Sequence, residues 1–382
     1  MPFDKLLKRA RGSRSSSTAG SAASSTASSD ELERGDAFGL REWVIPRAAL
    51  QLHARIGKGS FGSVHRCVLS GEEEQHYVAK QISPLRTKPE DRSCLVNEMH
   101  VWSSVKHPNC VAFRGVVFGP KERDDYFLLC ELMPGGSVHD RLVRRAATDA
   151  PPPKRAVLNR EMLQVASAMM HLHSLGIIHR DLKSSNVLIG KDGRLAVSDF
   201  GLARYTHPDG EMTAETGSYR WMAPEVIRHE KYGCPCDVYS YGLFCYELLS
   251  NRVPYADMAA VAAALRVARF GIRPDLPASA PSDVCEVIKS CWQQDPRERP
   301  TFTSVCASLE ALRASLTVHG DADDATPATP TGSPPSTDHG KRGPAMRDPA
   351  GHPRPQRRAS APCATLDPKC ISKLALSEPS GL

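Results

Sequence analysis

No apolar run in this sequence approaches the about 18 residues needed to cross a bilayer, and the one Ala-rich stretch, 256–270, is broken by Asp257, Arg266 and Arg269. A membrane-spanning helix is not expected. Excess charge is missing too: 49 basic against 43 acidic residues leave only +6, which implies neither nucleic acid nor an anionic membrane surface as the main partner. Paired cysteines are absent. The twelve cysteines are scattered from Cys67 to Cys370, and the close-spaced Cys234-Pro235-Cys236 has no second pair at zinc-ligand distance. With no secretory signal in view, free thiols in a reducing compartment are expected, and a cytoplasmic or nuclear location follows. There is no internal repeat.

What is present allows a substantial fold. The chain has 382 residues, 41% of them hydrophobic, enough for one large two-lobed domain or two ordinary ones with tails. Residues 1–40 are Ser/Ala/Thr-rich with almost no large apolar side chain, so they read as a disordered tail. Their start is basic, with Lys5, Lys8, Arg9, Arg11 and Arg14 beside Phe3, Leu6 and Leu7. That pattern fits an organellar transit peptide or a phosphorylatable tail, and composition favours the tail. Residues 316–382, rich in Pro, Ala, Asp and Arg, read as a second disordered tail. An ordered domain is expected over 41–315.

Inside that span the chemistry concentrates in His179-Arg180-Asp181-Leu182-Lys183-Ser184-Ser185-Asn186, with Asp199-Phe200-Gly201 beginning thirteen residues after Asn186. Between them Val187-Leu188-Ile189, a Gly190-Lys191-Asp192-Gly193 turn and Leu195-Ala196-Val197 read as a β-hairpin. A hairpin brings its outer ends together, here an amide oxygen (Asn186) and a carboxylate (Asp199). Two hard oxygen ligands with positions left open suit Mg²⁺ rather than Zn²⁺. Asp181 and Lys183 put a base and a cation on the same loop. Taken singly these are ordinary solvated loop residues; the order and the hairpin between them carry the signal.

Upstream lies Ile56-Gly57-Lys58-Gly59-Ser60-Phe61-Gly62-Ser63-Val64. The G-x-G-x-x-G spelling alone also fits a dinucleotide-binding turn, which needs a helix to open at the third glycine. Here strands follow instead, Val64 to Leu69 and Tyr77-Val78-Ala79-Lys80, so the glycines sit in a hairpin whose N–H groups can cover phosphates. Leu95, Glu98, Met99 and Trp102 fall at i, i+3, i+4 and i+7, which sets Glu98 on an apolar helical stripe. A carboxylate there is costly unless a cation meets it, and Lys80 is the candidate. Val116 to Phe118 and Tyr126 to Cys130 read as paired strands, Glu131-Leu132-Met133-Pro134-Gly135-Gly136 as a hinge, Glu161 to Leu175 as a helix stopped by Gly176, and Asp237 to Leu249 as a helix buried all round.

These motifs together resemble the protein kinases over about residues 50–312. The wording His179 to Asn186 and Thr213-Ala214-Glu215-Thr216-Gly217-Ser218-Tyr219-Arg220-Trp221-Met222-Ala223-Pro224-Glu225 is similar to the tyrosine-kinase-like group, Raf-like and mixed-lineage-like, of plant and green-algal type. The resemblance implies an α+β, bilobal kinase fold: a small, mostly β N-lobe with one helix (50–131), a hinge (131–136), a larger, mostly α C-lobe (137–315) and an ATP cleft between. It implies a serine/threonine kinase using ATP and Mg²⁺ on protein substrates, with a pseudokinase scaffold and a dual-specificity or tyrosine kinase as alternatives. Asp181 would accept the hydroxyl proton, Lys183 would steady the γ-phosphate, Asn186 and Asp199 would hold metal, and Lys80 would reach the α/β-phosphates while paired with Glu98. The nucleotide would also meet Ile56, Gly57, Lys58, Gly59, Ser60, Phe61, Gly62, Val64, Ala79 and Leu188, with its adenine on the backbone of Glu131 and Met133 and Cys130 as gatekeeper.

The same resemblance implies a buried Glu225–Arg299 pair, an Asp237 that caps its helix and braces the catalytic loop, and a Trp102, Phe113, His179, Phe200 column linking the lobes. Ser218 would bond near Asp181 and Lys183. Arg180 beside Thr206, Thr213, Thr216, Ser218 and Tyr219 points to control by phosphorylation, Thr213 or Thr216 first, by an upstream kinase or by the chain itself in trans. In the C-terminal tail Thr326, Thr329 and Ser333 each precede proline, and Ser360 follows two arginines, a pattern that would dock a 14-3-3-type adaptor once phosphorylated.

Overall fold

Short apolar runs between turns make the first third of the chain a sheet. A computed structural model describes residues 26–58, 62–82, 89–119, 125–151, 153–205 and 218–318. After a short helix α1 (Ser29–Ala37), strands β1 (Leu50–Lys58), β2 (Ser63–Leu69), β3 (Tyr77–Ile82), β4 (Phe113–Phe118) and β5 (Tyr126–Glu131) form one antiparallel sheet ordered β1-β2-β3-β5-β4. Helix α2 (Pro89–Ser104) lies between β3 and β4 in sequence. The rest is mostly helical: α3 (Val138–Ala147), α4 (Arg155–Ser174), α5 (Pro224–Ile227), α6 (Pro235–Ser250), α7 (Ala260–Phe270), α8 (Ser282–Cys291) and α9 (Phe302–Val318). Two small ladders interrupt it, β6 (Ile177–Ile178) with β9 (Arg204–Tyr205) and the hairpin β7 (Val187–Ile189) with β8 (Leu195–Val197). This is the expected α+β, two-lobed arrangement. Among the described residues no helix is long and apolar enough to cross a membrane.

Three boundaries differ from the sequence reading. Folded structure begins before residue 41: α1 carries a Ser28/Glu31 capping box, and the sheet lobe therefore has two helices, not one. Leu40, just beyond α1, is 1% exposed in the main core. Helix α4 starts at Arg155 rather than Glu161, and α9 runs to Val318, past the expected end at 315.

The larger lobe is built around α6, in which every residue from Cys236 to Leu249 is buried. Gly242 permits this: a Cβ there would lie 3.1 Å from Cys291 Cβ and 3.3 Å from Trp292 Cβ, so α8 packs directly on the backbone. Polar groups carried inside by such a helix need partners. Asp237 finds the His179 N–H and Arg180 N–H at 2.8 Å each and the His173 Nε2 at 2.9 Å. It does not cap α6, because its carboxylate is spent on those donors, and no side chain caps Cys234 at the helix start. Glu247 accepts from Ser184 N–H at 3.1 Å, Ser184 Oγ at 2.5 Å and Trp221 Nε1 at 2.9 Å.

Glu225 meets Arg299 through two bonds of 2.7 and 2.8 Å, with both side chains almost wholly inaccessible. Arg299 also donates to Gln293 O and Pro235 O at 2.9 Å and lies over the Tyr239 ring. Truncating one partner strands the other charge, so Glu225→Ala is expected to lower unfolding free energy by about 3–5 kcal/mol in urea titrations.

His173 supplies a pH dependence. Burial opposes its charge, but the hydrogen bond and negative charge of Asp237 and the Cys234 thiol prevail, lifting it from 6.5 to about 9. Its proton is thus held more tightly folded than unfolded. The stabilisation is complete below about 6.5 and lost as pH rises through about 9. His173→Gln is expected to flatten that decline, a difference on the order of 3 kcal/mol between the ends of the window, read from denaturation midpoints at each pH.

Candidate active site

Strand β3 sets the first side chain. Successive residues of a strand face opposite ways, and directly paired residues share a face. Lys80 pairs with Val64 on β2 and Leu128 on β5, while Val78 pairs with Cys130, so Val64, Val78, Lys80 and Cys130 share the cleft side. The Lys80 ammonium lies 2.7 Å from Glu98 Oε1, and Glu98 on α2 is 1% exposed. Burial works against a charge on Lys80, but the carboxylates of Glu98 and Asp199 outweigh it and raise its hold on the proton. Ala79 is a correction. It points to the other side of the sheet, into a separate cluster with Tyr77, Cys67, Phe127 and Leu129, and Val78 occupies the cleft position assigned to it.

The loop ahead of the hairpin sets the next group. Asp181 Oδ2 accepts from Lys183 Nζ at 2.5 Å and Asn186 Nδ2 at 2.9 Å, and Asn186 Nδ2 also reaches the Asp181 carbonyl at 2.8 Å. Asp181 Oδ1 is buried and has no partner. Lys183 Nζ also donates to Ser218 Oγ at 2.5 Å. Arg180 is held at φ +69° by the Asp237 bonds, a backbone region that disfavours a side chain. Its guanidinium donates to Leu202 O at 2.8 Å and Tyr232 Oη at 3.0 Å.

Hairpin closure does bring the outer ends together: Asn186 O accepts from Ser198 N at 2.8 Å and from Ser198 Oγ at 2.9 Å, one residue before Asp199. Asp199 itself is exposed, with φ +65°. A Cβ on Gly201 would lie 3.4 Å from Asp199 Oδ1 and 3.5 Å from Glu98 Oε2, so the two carboxylates flank that glycine. Glu98 Oε2, like Asp181 Oδ1, is buried without a partner. Phe200 is buried between Trp102 at 6.0 Å and His179 at 5.7 Å, and Trp102 continues to Phe113 at 5.4 Å. His179 Nε2 faces the Ser198 carbonyl at 3.1 Å while its Nδ1 accepts from Asp181 N–H at 3.3 Å, which fixes the ring with its proton on Nε2.

The remaining predicted residues line the cleft or lie apart from it. Cys130 and Met133 are buried, Leu188 and Gly57 are half-buried, and Ile56 is 52% exposed. Burial pushes the Cys130 thiol up to about 12, so it is a neutral apolar wall. Glu131 spends its carboxylate on Ala112 N–H at 2.8 Å and on Arg194. Gly62 has a packing reason of its own, since a Cβ there would sit 2.0 Å from Gln81 O. Gly59, Ser60 and Phe61, the Lys58 side chain, and Thr206, Thr213 and Thr216 lie outside the described residues. Residues the sequence reading passed over include Val78, Arg194 and Asn97, whose amide donates to Ala203 O at 2.8 Å.

The donor set fits a divalent metal held with nucleotide phosphates. Among the described residues no group of three or more His, Cys, Asp or Glu side chains forms a cage. Asn186 and Asp199 would need further oxygens from a ligand to hold one, which is how a reluctantly dehydrated hard cation is bound at a phosphate.

Comparison with known proteins agrees with this geometry. The family model for protein tyrosine and serine/threonine kinase matches residues 50–309. The chain is 33% identical over 283 residues to serine/threonine-protein kinase STY46 of Arabidopsis thaliana, covering 74% of this chain and 48% of that protein. It is 36% identical over 282 residues to mitogen-activated protein kinase kinase kinase 10 of Mus musculus, covering 71% and 29%. With serine/threonine/tyrosine-protein kinase HT1 of Arabidopsis thaliana it shares 33% over 274 residues, covering 70% and 68%. The chain thus spans about half the length, or less, of the first relatives it matches. On the matched span, and with its lysine–glutamate pair, its half-partnered aspartate and the oxygen donors Asn186 and Asp199 at the ends of its hairpin, the chain belongs to the protein tyrosine and serine/threonine kinase family.

Proposed function

We propose that this protein transfers the γ-phosphoryl group of ATP to serine and threonine hydroxyls of protein substrates, with Mg²⁺ as the metal. The observation that carries the reading is Asp181: one oxygen is fixed by Lys183 and Asn186 while the other is buried without a partner. Asp181 Oδ1 receives the proton of the acceptor hydroxyl as its oxygen forms the new bond to phosphorus and the bond to the departing ADP oxygen breaks. Lys183, already bonded to Ser218, steadies the transferred group; Lys80, held by Glu98, orients the α/β-phosphates. Mg²⁺, when bound by Asn186 and Asp199, neutralises phosphate charge. Val64, Val78 and Cys130 make the apolar wall against the adenine.

Asp181→Asn is expected to cut transfer to a generic acceptor protein by about 10²–10⁴-fold with ATP affinity retained. Asp199→Asn is expected to abolish magnesium-dependent autophosphorylation. Wild-type rates in either variant, or no transfer by the wild type, would favour a scaffold. HT1, similar over most of its length, is named a serine/threonine/tyrosine kinase, so phosphoamino-acid analysis of the product decides between serine/threonine-only and dual specificity.

Regulation follows from Arg180, which sits beside the proposed base and reaches Leu202 and Tyr232 with its guanidinium. A phosphate on Thr213 or Thr216, supplied by another kinase or in trans, gives that guanidinium a dianion to bind. Replacing both threonines by Ala is expected to lower activity at least tenfold, and unchanged activity would rule the mechanism out. A cytoplasmic location and adaptor docking at phosphorylated Ser360 belong to the same proposal and rest on sequence composition and pattern.

A further inference from the structure

Helix α2 carries Glu98 on one side and His100 on the side turned away from it, two residues being about 200° of rotation. Glu98 faces Lys80; His100 faces the segment between α1 and β1. The His100 imidazole hydrogen-bonds to the backbone carbonyl of Phe38. Gly39 follows with φ +65°, and a Cβ on it would lie 3.1 Å from His100 Cε1. The N-terminal segment therefore closes against the back of the helix that presents Glu98.

The segment is anchored well enough to push. Arg34 donates to Gly119 O at 2.8 Å and lies 4.7 Å over the Phe118 ring. Phe38 stacks on Phe118 at 5.9 Å, and Leu40 is buried in the main core. Trp43 packs on Phe113 at 5.3 Å, and Ile45 N–H bonds to Val116 O at 2.8 Å, so the segment continues along the edge of β4. Glu31, held in the capping box, accepts from Arg47 N–H at 2.8 Å and ties the start of α1 to the entrance of β1. Gly35 allows the tight fold-back: a Cβ there would lie 2.4 Å from Val44 Cγ2. Nothing in the Lys80–Glu98 chemistry requires this wrap.

We infer that residues 28–45 are a built-in brace that fixes α2 from behind, with His100 as a positioning residue that sets Glu98 against Lys80 through its bond to Phe38. The inference rests on the kinase reading. It makes turnover depend on a contact that touches neither nucleotide nor acceptor.

The test uses the full chain, with transfer to casein, thermal unfolding, and amide exchange over residues 96–104. His100→Ala removes the tie. His100→Gln restores an N–H donor of similar reach, and Gly39→Ala drives a methyl at the imidazole from a strained backbone. Both His100→Ala and Gly39→Ala are expected to lower kcat on the order of tenfold, with KM for casein unchanged and amide exchange over 96–104 faster. His100→Gln is expected to recover most of the wild-type kcat. Wild-type kcat and exchange in His100→Ala, or a loss that follows the unfolding temperature and is not recovered by Gln, overturns the brace. If Gly39→Ala does not fold, the two His100 variants decide alone. A wild-type chain with no transfer at all overturns the kinase reading itself, whereas an active wild type with unaffected variants overturns only the brace.

Discussion

A carboxylate with no access to water has to be surrounded by donors, and Asp237 obliges the catalytic loop to supply them. Removing such a charge from solvent costs several kcal/mol unless it is fully hydrogen-bonded. Two of its three donors are backbone N–H groups, of His179 and Arg180, so satisfying the charge dictates the path of the chain immediately before Asp181. The positive φ of Arg180 is tolerated for the same reason. Burial pushes the neighbouring Glu247 carboxyl up to about 7, against three donated bonds that favour its charge. Through Ser184 and Trp221 it fastens the middle of the loop and the chain beyond Ser218 to the same helix. One buried helix, α6, is therefore the mount on which the Asp181 loop stands.

The other half of the site is mounted on α2, and the two halves meet through the apolar column of Phe113, Trp102, Phe200 and His179. Along one helix, Asn97 holds Ala203, Glu98 holds Lys80, Trp102 holds Phe200, and the Ser104 hydroxyl lies 3.2 Å from that of Tyr205. Moving α2 would disturb all four together. A second tie crosses near the hinge: Arg194, at the turn of the β7–β8 hairpin, pairs with Glu131 and donates to Pro108 O at 2.5 Å, while Asn109 bonds to Leu195 O at 2.8 Å. The loop after α2 is thus bridged to β8 at one point, where Val197 N–H reaches Asn109 O and Val111 N–H reaches Val197 O. The lobes are joined by chemistry on both sides of the cleft.

Most of this was legible in the residues, and the exceptions have physical reasons. The hairpin between Asn186 and Asp199 was readable because its two apolar runs and Gly/Asp turn are local. Glu98 was readable because a charge on an apolar stripe demands a partner. Ala79 lies on the face opposite Lys80 by the period of two alone, so the pleat, and not the spelling Val78-Ala79-Lys80, decides which of them faces the cleft. Helix α1 was missed because its residues are mostly polar and its apolar anchors, Phe38 and Leu40, come after it. Its capping box at Ser28 and Glu31 was nonetheless visible. Asp237 was expected both to cap its helix and to brace the catalytic loop; the loop's backbone N–H groups take its oxygens, so the brace holds and the cap does not.

The contrast between the two loop-facing aspartates separates support from chemistry. Asp237 has donors on both oxygens and nothing left to offer. Asp181, a few residues along the loop it braces, has donors on one oxygen and none on the other. An unpartnered buried acceptor costs about 1–3 kcal/mol, a penalty that folding alone gives no reason to keep. Five such side-chain atoms occur among the described residues; the two that belong to carboxylates, on Asp181 and Glu98, both border the cleft. On the proposed function, a hydroxyl proton would satisfy Asp181 Oδ1, and a donor entering beside Gly201 would satisfy Glu98 Oε2. On that reading the stability withheld at these two atoms would leave the site reactive, while the hydrogen-bonded carboxylates of Asp237 and Glu247 beneath them hold the loop in place.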